Sequence, residues 1–510
     1  MNATLSEAVR VGLIGCGRIA DLHVPGYADL AGRARIAAVC DADRETAERR
    51  RAEWGAEKAY TDYRELLSDA GIDAVEILTP HRLHEEMTVA ALEAGKHVAV
   101  QKPMTIDLAS ADRMLAASAR HPELVFRVTD NYAFYPPIVR AREMIRRGDI
   151  GEPLTLRIKF IGGGSGGWEV PASAWQWRMQ EAAEGRGLQT FDHGHHLWTT
   201  GWLLFGSVER VAGWIDSLDG VTDSPAVLVW KCKDARRYGL CEFAHAEGLH
   251  IPGRYYANDE WIEITGSHGI LFIHRCTGEI HTGPAMSLYD GKQMHAITDV
   301  DSDWAAGFRG ATQNFIEAIE GRAAPMLSGA EGREVLAFTM AVAKASRVHR
   351  EVFPEELDRK FPNWYARRRI RRERKADALP REGWLTRLGL VGGYGKYAPR
   401  ARELTEQLLE RFDAAEAGDW ETVIALRLTA EGGVPEQRFL LRVKDGRPQL
   451  ILAEAGAPAG EALMTATVPA GVWAAILSGN KRIETAVLQG KLKLEGRAEE
   501  GLKLRAVFHL

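Results

Sequence analysis

Cysteine is scarce and unpaired in this chain of 510 residues: Cys16, Cys40, Cys232, Cys241 and Cys276 are odd in number, widely scattered and include no CxxC pair. That pattern speaks against a disulfide framework and against the usual zinc or redox centres, and it fits reduced thiols in a cytoplasm. Long apolar runs are missing as well, since no stretch approaches the ~18 residues needed to span a bilayer. The opening MNATLSEAVR has neither the basic start nor the apolar run of a secretory signal. Membrane insertion and export are therefore not expected, and a cytoplasmic location is. An excess of one charge is lacking too: 65 Lys and Arg against 70 Asp and Glu leave a formal net charge of -5. Such a balance gives no global attraction to phosphate polyanions, so nucleic acid is not an expected partner.

What is present is apolar material for two to four cores of ordinary size, at 45% hydrophobic and 26% charged residues. From Val9 to about Val128 short apolar runs (RVGLIG, ARIAAVC, DAVEIL, HVAV) alternate with amphipathic segments that end in Gly55 and Gly95, as C-caps do. This is a βαβ series and predicts a parallel, Rossmann-type sheet over residues 1–130. After Tyr132 longer strands follow (PLTLRIKF, RVAGWI, AVLVWKC, YGLCEFAH, DEWIEITG, GILFIH), then two helical stretches that close the unit near Val352. An α+β domain with a large, mainly antiparallel sheet is expected over 131–352. Residues 353–397, with a basic run from Arg367 to Arg374 and the glycine-rich LGLVGGYGKY, read as a linker. A small α+β domain is expected over 398–510.

Gly15 and Gly17 follow the first strand directly, with Ala20 in the place of a third glycine. Glycines there let the backbone approach a pyrophosphate at a helix N-terminus, and a tight structural turn is the alternative. Asp41 ends the second strand, at the interval expected of an acid that binds both ribose hydroxyls. Its charge would repel a 2'-phosphate, so NAD is favoured over NADP. Arg44 nearby reads as a solvated helix charge, with phosphate recognition as the alternative.

The segment EILTPHRLHEEMTVAALEAGKHVAVQKPMT, and with it GRGLQTFDHGHHLWTTGWLLFG, resembles the Gfo/Idh/MocA oxidoreductase family; the resemblance covers residues 8–352. It implies that Lys102, in Gln101-Lys102-Pro103, holds the reacting oxygen and helps move its proton; the family's tripeptide begins with Glu. It further implies cofactor contacts from Gly15, Gly17, Arg18, Ile19, Asp41, Thr79, Pro80, His84, Gln101, Lys102 and Asn131. In the second segment the family's Asp-x-Gly-x-His falls on Asp192, Gly194 and His196. Residues i and i+4 share a helix face, so Asp192 is expected as the companion of His196. An alcohol gives up hydride only if its proton leaves too, and histidine titrates near neutrality; His196 is therefore the expected base. His195 is extra to the family pattern and is expected at the substrate. His193 reads as structural, and no metal is expected. Trp168, Trp175 and Trp177 lie where relatives line the substrate pocket, and Trp175 and Trp177 are expected to stack on a sugar face, with a core role as the alternative.

Residues 398–510 resemble the sterol carrier protein type-two family, through Val-Pro-x-x-x-Trp, Gly479 and GKLKLEG. The resemblance implies a five-stranded sheet with helices over an apolar tunnel for a lipid or a hydrophobic aglycone; a packing or oligomerisation module is the alternative. Together these features predict an NAD-dependent oxidoreductase acting on a secondary hydroxyl of a sugar, glycoside or cyclitol, assembled as a homo-oligomer. Two other functions fit the same residues. One is a redox-neutral, glycoside-cleaving enzyme that uses NAD transiently. The other is a lipid-binding scaffold with a vestigial enzyme half, against which the intact Lys102, Asp192 and His196 argue.

Overall fold

The computed structural model describes residues 8–233, 235–358, 393–453 and 462–510. The chain divides into two compact units, Met1–Arg371 and Arg372–Leu510.

The first unit opens with a parallel sheet of β1 (Val9–Ile14), β2 (Ala34–Cys40), β3 (Lys58–Tyr60), β4 (Ala74–Ile77), β5 (His97–Gln101) and β6 (Phe126–Thr129), in the order β3-β2-β1-β4-β5-β6. β4 is buried at every residue and β1 at all but one. Strands covered on both faces read as nearly continuous apolar runs, interrupted here by Arg10 in β1 and by the buried Glu76 in β4. The crossover helices carry their own stop signals: the Asp43 side chain accepts from Thr46 N at the start of Arg44–Trp54, and Gly55 ends it at φ 70°. Strand order reverses between β1 and β4, and there the loops at the strands' C-terminal ends part to leave a crevice.

The second sheet runs β14-β13-β12-β11-β7-β10-β9-β8. Its strands are β7 (Pro153–Ser165), β8 (Val208–Ile215), β9 (Ala226–Cys232), β10 (Tyr238–His250), β11 (Asn258–Gly266), β12 (Ile270–Ile273), β13 (Met286–Tyr289) and β14 (Met294–Ile297). β7 lies between the two meanders and pairs in parallel with β10 and antiparallel with β11. The expected boundary at 130/131 is not a break in packing. Tyr132, Ala133 and Tyr135 are buried in one continuous core that runs from Ile14 of the first sheet to Val352.

In the C-terminal unit the sheet order is β17-β16-β15-β18-β19, with β15 (Thr422–Thr429), β16 (Gln437–Lys444), β17 (Arg447–Ala453), β18 (Met464–Pro469) and β19 (Lys493–Gly496). Its core centres on Trp473, whose Nε1 donates to Thr405 Oγ1 at 2.9 Å, so the buried indole leaves no unpaired N–H. The expected linker at 353–397 is corrected at both ends: Phe353 is buried and Leu357 packs against the core of the first unit, while Tyr394 and Tyr397 pack against this core, and Ala398 is part of it. Its central part, 359–392, including the basic run, lies outside the described residues.

Candidate active site

A cavity of about 1360 Å³ opens at the crevice between β1 and β4 and extends over the face of β7. Its first end is built by the glycine loop. Gly15 has φ 95°, and a Cβ there would lie 2.8 Å from the Leu78 carbonyl, whereas a Cβ on Gly17 would meet nothing within 4 Å. Gly15 is thus required by backbone geometry, and Gly17 leaves open room beside the loop. Asp41 lines this end, its carboxylate oriented by amides: Cys16 N donates to Oδ2 at 2.9 Å and Asp43 N to Oδ1 at 3.0 Å. Arg18, Ile19, Thr79, Pro80 and Gln101 line the same wall, and the Arg18 guanidinium lies 4.4 Å from the ring centroid of Trp168. An open glycine cradle followed by an ordered carboxylate fits a dinucleotide with free ribose hydroxyls.

Two expected cofactor residues sit elsewhere. His84 is fully buried, its ring nitrogens 2.9 Å from Thr79 O and Pro103 O, so it braces two loops from behind. Burial pushes its pKa down to about 4. Asn131 is buried outside the cavity wall, its carbonyl beneath the close approach of Gly307.

The other end of the cavity carries the ionisable groups. Lys102 Nζ donates to Asp192 O at 2.8 Å and to Asp192 Oδ1 at 2.9 Å. The second Asp192 oxygen accepts from Arg178 Nε at 2.8 Å, and His81 Nε2 lies 3.6 Å from the first. Burial alone would raise this carboxyl, but Lys102, Arg178 and His81 outweigh it and hold it well below the usual carboxylate range.

Asp192 is therefore not the companion of His196. Residues Leu188–His193 form a π-helical turn, in which Asp192 N donates to Gly187 O, and His196 sits in the α-helix Gly194–Phe205 that follows. The wider turn removes the i, i+4 relation on which the expectation rested. His196 Nδ1 instead meets Asp130 Oδ1 at 2.7 Å, just past β6. Burial pushes the ring down to about 4, against the pull of Asp130. The imidazole is thus neutral at pH 7, with Nδ1–H on the Asp130 carboxylate and Nε2 left to the cavity; its ring stacks on Tyr132 at 4.5 Å.

His195 is corrected as well. Its Nδ1 pairs with Thr339 Oγ1 at 3.1 Å inside the protein, and it does not line the cavity, because successive helical residues point about 100° apart. His193, expected to be structural, does line the cavity and pairs through Nε2 with the buried Glu260 at 2.7 Å. Trp177 and Trp175 are on the wall, Trp175 45% exposed. Sequence reasoning missed Asp130, Glu260 and Arg178. Only Arg178 left a trace, as a cation among the tryptophans of WQWRM.

Comparison with known proteins bears on this geometry. Residues 9–128 match a family model described as an oxidoreductase family with NAD-binding Rossmann fold, and 138–272 match the GFO/IDH/MocA C-terminal domain. Residues 405–509 match the SCP-2 sterol transfer family. A myo-inositol 2-dehydrogenase of Thermotoga maritima is 32% identical over 150 residues, 29% of this chain and 44% of that protein, so the match spans less than half of the relative. A D-apiose dehydrogenase of Paraburkholderia graminis is 26% identical over 375 residues, covering 71% of this chain and 94% of the relative. Among solved structures, a levoglucosan dehydrogenase in complex with NADH and levoglucosan superposes with a TM-score of 0.58 at 22% identity, over 68% of this chain and 99% of that one; this likeness concerns the fold.

Proposed function

We propose, for a chain that belongs to the GFO/IDH/MocA oxidoreductase family, that it is an NAD-dependent dehydrogenase oxidising a secondary hydroxyl of a sugar, glycoside or cyclitol, or reducing the matching ketone. The relatives named for inositol and apiose support that substrate class. Gly15, Gly17, Arg18, Ile19, Asp41, Thr79 and Pro80 would hold the cofactor, whose nicotinamide, when bound, supplies a hydride acceptor. The chain's own residues handle the proton. Two of the three Lys102 N–H bonds go to Asp192, which aims the third at the substrate oxygen and polarises it. His196 Nε2 takes the hydroxyl proton, and Asp130 stabilises the imidazolium that forms.

The observation that carries this reading is a buried, neutral His196 locked by Asp130 on the same wall as Lys102. The test is NADH formation, followed by absorbance, when purified protein and NAD are incubated with myo-inositol, D-apiose, levoglucosan and simple glycosides. NADH from at least one polyol, lost in Lys102→Met, is expected; no NADH and no polyol-dependent change in bound nucleotide would overturn it. A second reading, redox-neutral glycoside cleavage, is favoured by the second imidazole backed by a carboxylate, His193 on Glu260. A base in that place suits removal of the acidic proton beside a newly formed ketone. Cleaved glycoside without accumulated NADH distinguishes it. For the C-terminal unit, the match to the SCP-2 sterol transfer family supports a lipid ligand.

A further inference from the structure

Three neighbouring strands place His245, Gly162 and Asn258 side by side. Gly162 is opposite His245 across the β7–β10 pair and opposite Asn258 across the β7–β11 pair. Residues opposed in this way share one face of a sheet, and all three line the cavity.

Gly162 differs from the glycines after it. A Cβ on Gly163 would stand 2.5 Å from Leu249 O, and one on Gly164 would stand 2.2 Å from Glu247 O, so both are required by backbone close approach. A Cβ on Gly162 would instead meet a side chain, His245 Nδ1, at 2.6 Å. The imidazole thus leans across β7 into the space that a side chain at 162 would fill. Its Nδ1 is buried and has no hydrogen-bond partner among the described residues, which leaves Nε2 as the nitrogen that meets a ligand. On the far side, Asn258 Nδ2 donates to Glu260 Oε1 at 2.8 Å, which fixes the amide and leaves Oδ1 as an acceptor. Two strand spacings separate the Cα atoms of His245 and Asn258, about 9–10 Å, and the lean of the ring narrows that gap.

We propose that His245 and Asn258 are specificity-determining residues: a donor and an acceptor that read two hydroxyls of a polyhydroxylated ring and so fix which carbinol faces Lys102 and His196. This rests on the dehydrogenase reading above. Gly162 is the position that permits the arrangement, and any side chain there displaces His245.

The test uses the full chain, with myo-inositol, levoglucosan and D-glucose as probes. Polyol binding is read from quenching of the cavity tryptophans, NADH binding from its own fluorescence, and kcat/KM from NADH formation. His245→Ala and Gly162→Ala are each expected to weaken binding of the best probe about tenfold, the loss of one or two neutral hydrogen bonds. His245→Gln, which keeps a donor, should recover part of that loss, and NADH affinity should stay within about twofold, since the altered groups are not at the cofactor end. If the unmodified protein binds none of the probes this inference falls, and the dehydrogenase reading falls with it only when no polyol, D-apiose included, yields NADH. If it binds one and the variants bind it equally well, or lose NADH and polyol alike, only this inference is overturned.

Discussion

His196 Nδ1 lies 2.7 Å from Asp130 Oδ1, a contact between a helix residue and a residue 66 positions earlier, at the end of β6. The ring acts as a base only when neutral, so activity in the oxidative direction should fall as pH drops through about 4, well below the ordinary histidine range. Asp130 pulls the ring's pKa upward. Asp130→Asn should therefore move the acid limb of kcat/KM still lower, while releasing the ring from its tautomer. Both Asp130→Asn and His196→Ala should cost ~10² to 10⁴ in rate. An acid limb near pH 6.5 in the unmodified protein would refute the assignment.

Lys102 and Arg178 share one carboxylate, Asp192. Lys102→Met removes the group that touches substrate and should cost ~10² to 10⁴ in kcat. Arg178→Gln leaves Asp192 with one fewer cation, so its carboxyl rises towards the usual range and Lys102 is held less firmly. A loss of about tenfold in kcat is expected there, of the size of one charge-assisted hydrogen bond. Steady-state kinetics that rank Arg178→Gln as the more damaging change would reverse these roles.

At the cofactor end, Asp41 is oriented by Cys16 N and Asp43 N. NAD should bind more tightly than NADP, and Asp41→Ser should narrow or reverse the preference. Fluorescence titration with NADH and NADPH checks this; tenfold tighter NADPH binding by the unmodified protein would remove Asp41 from the argument.

The fold itself should be acid-sensitive. Burial pushes His84 and His196 to about 4 and His195 to about 3, so each ring is neutral when folded and takes up a proton on unfolding below its ordinary pKa of 6.5. Their stabilising effect is present above pH 6.5 and is lost as pH falls towards 4. Asp259, raised to about 6 by burial and by Glu260, acts in the opposite sense, because it releases a proton on unfolding between about 4 and 6. With three histidines lowered and one carboxyl raised, these four groups together take up protons on unfolding near pH 5, so stability falls as pH drops there. Urea unfolding at a series of pH values measures this slope, and a flat profile from pH 6.5 to 4 would contradict it.

Removal of the residues after 371 separates the C-terminal unit from the oxidoreductase unit. The shortened chain should keep NADH binding and activity on small polyols, and should lose the binding of a fluorescent sterol or fatty acid that the SCP-2 match supports. Loss of polyol activity as well would assign the unit to assembly, which light scattering on both proteins would then reveal.

Most of the fold was legible in the sequence because its elements obey local rules. The strands β1, β2, β4 and β5 are mostly apolar, interrupted inside by Arg10, Arg35 and Glu76 and bounded in β5 by His97 and Gln101, and Gly55 and Gly95 stop helices. β3 and β6 leave a weaker signal, because β3 has only three residues and β6, FRVT, carries Arg127 and Thr129 among its four. In the site, Lys102 and His196 were legible because a motif carries them. Their partners were less so: helical spacing names only neighbours on one face, and Asp130 and Glu260 reach His196 and His193 across 66 and 67 residues of chain. Arg178 is fixed by its contact with Asp192, which no local pattern announces.

The π-helical turn at Leu188–His193 makes this site depend on residue count as well as on residue type. Asp223 accepts from Gln189 N and Thr190 N at its start, and the Gly194 amide returns to Gln189 O at its end, so both ends are pinned. Loss of a single codon between them would turn the wide turn into an ordinary one and rotate what precedes it by about 100° relative to His196. A deletion after Asp192 would turn its carboxylate away from Lys102, and one before it would turn the segment that leads in from Gly187, with the remaining side chains chemically intact. In a library of in-frame deletions this stretch should tolerate none, although several of its positions should accept substitution.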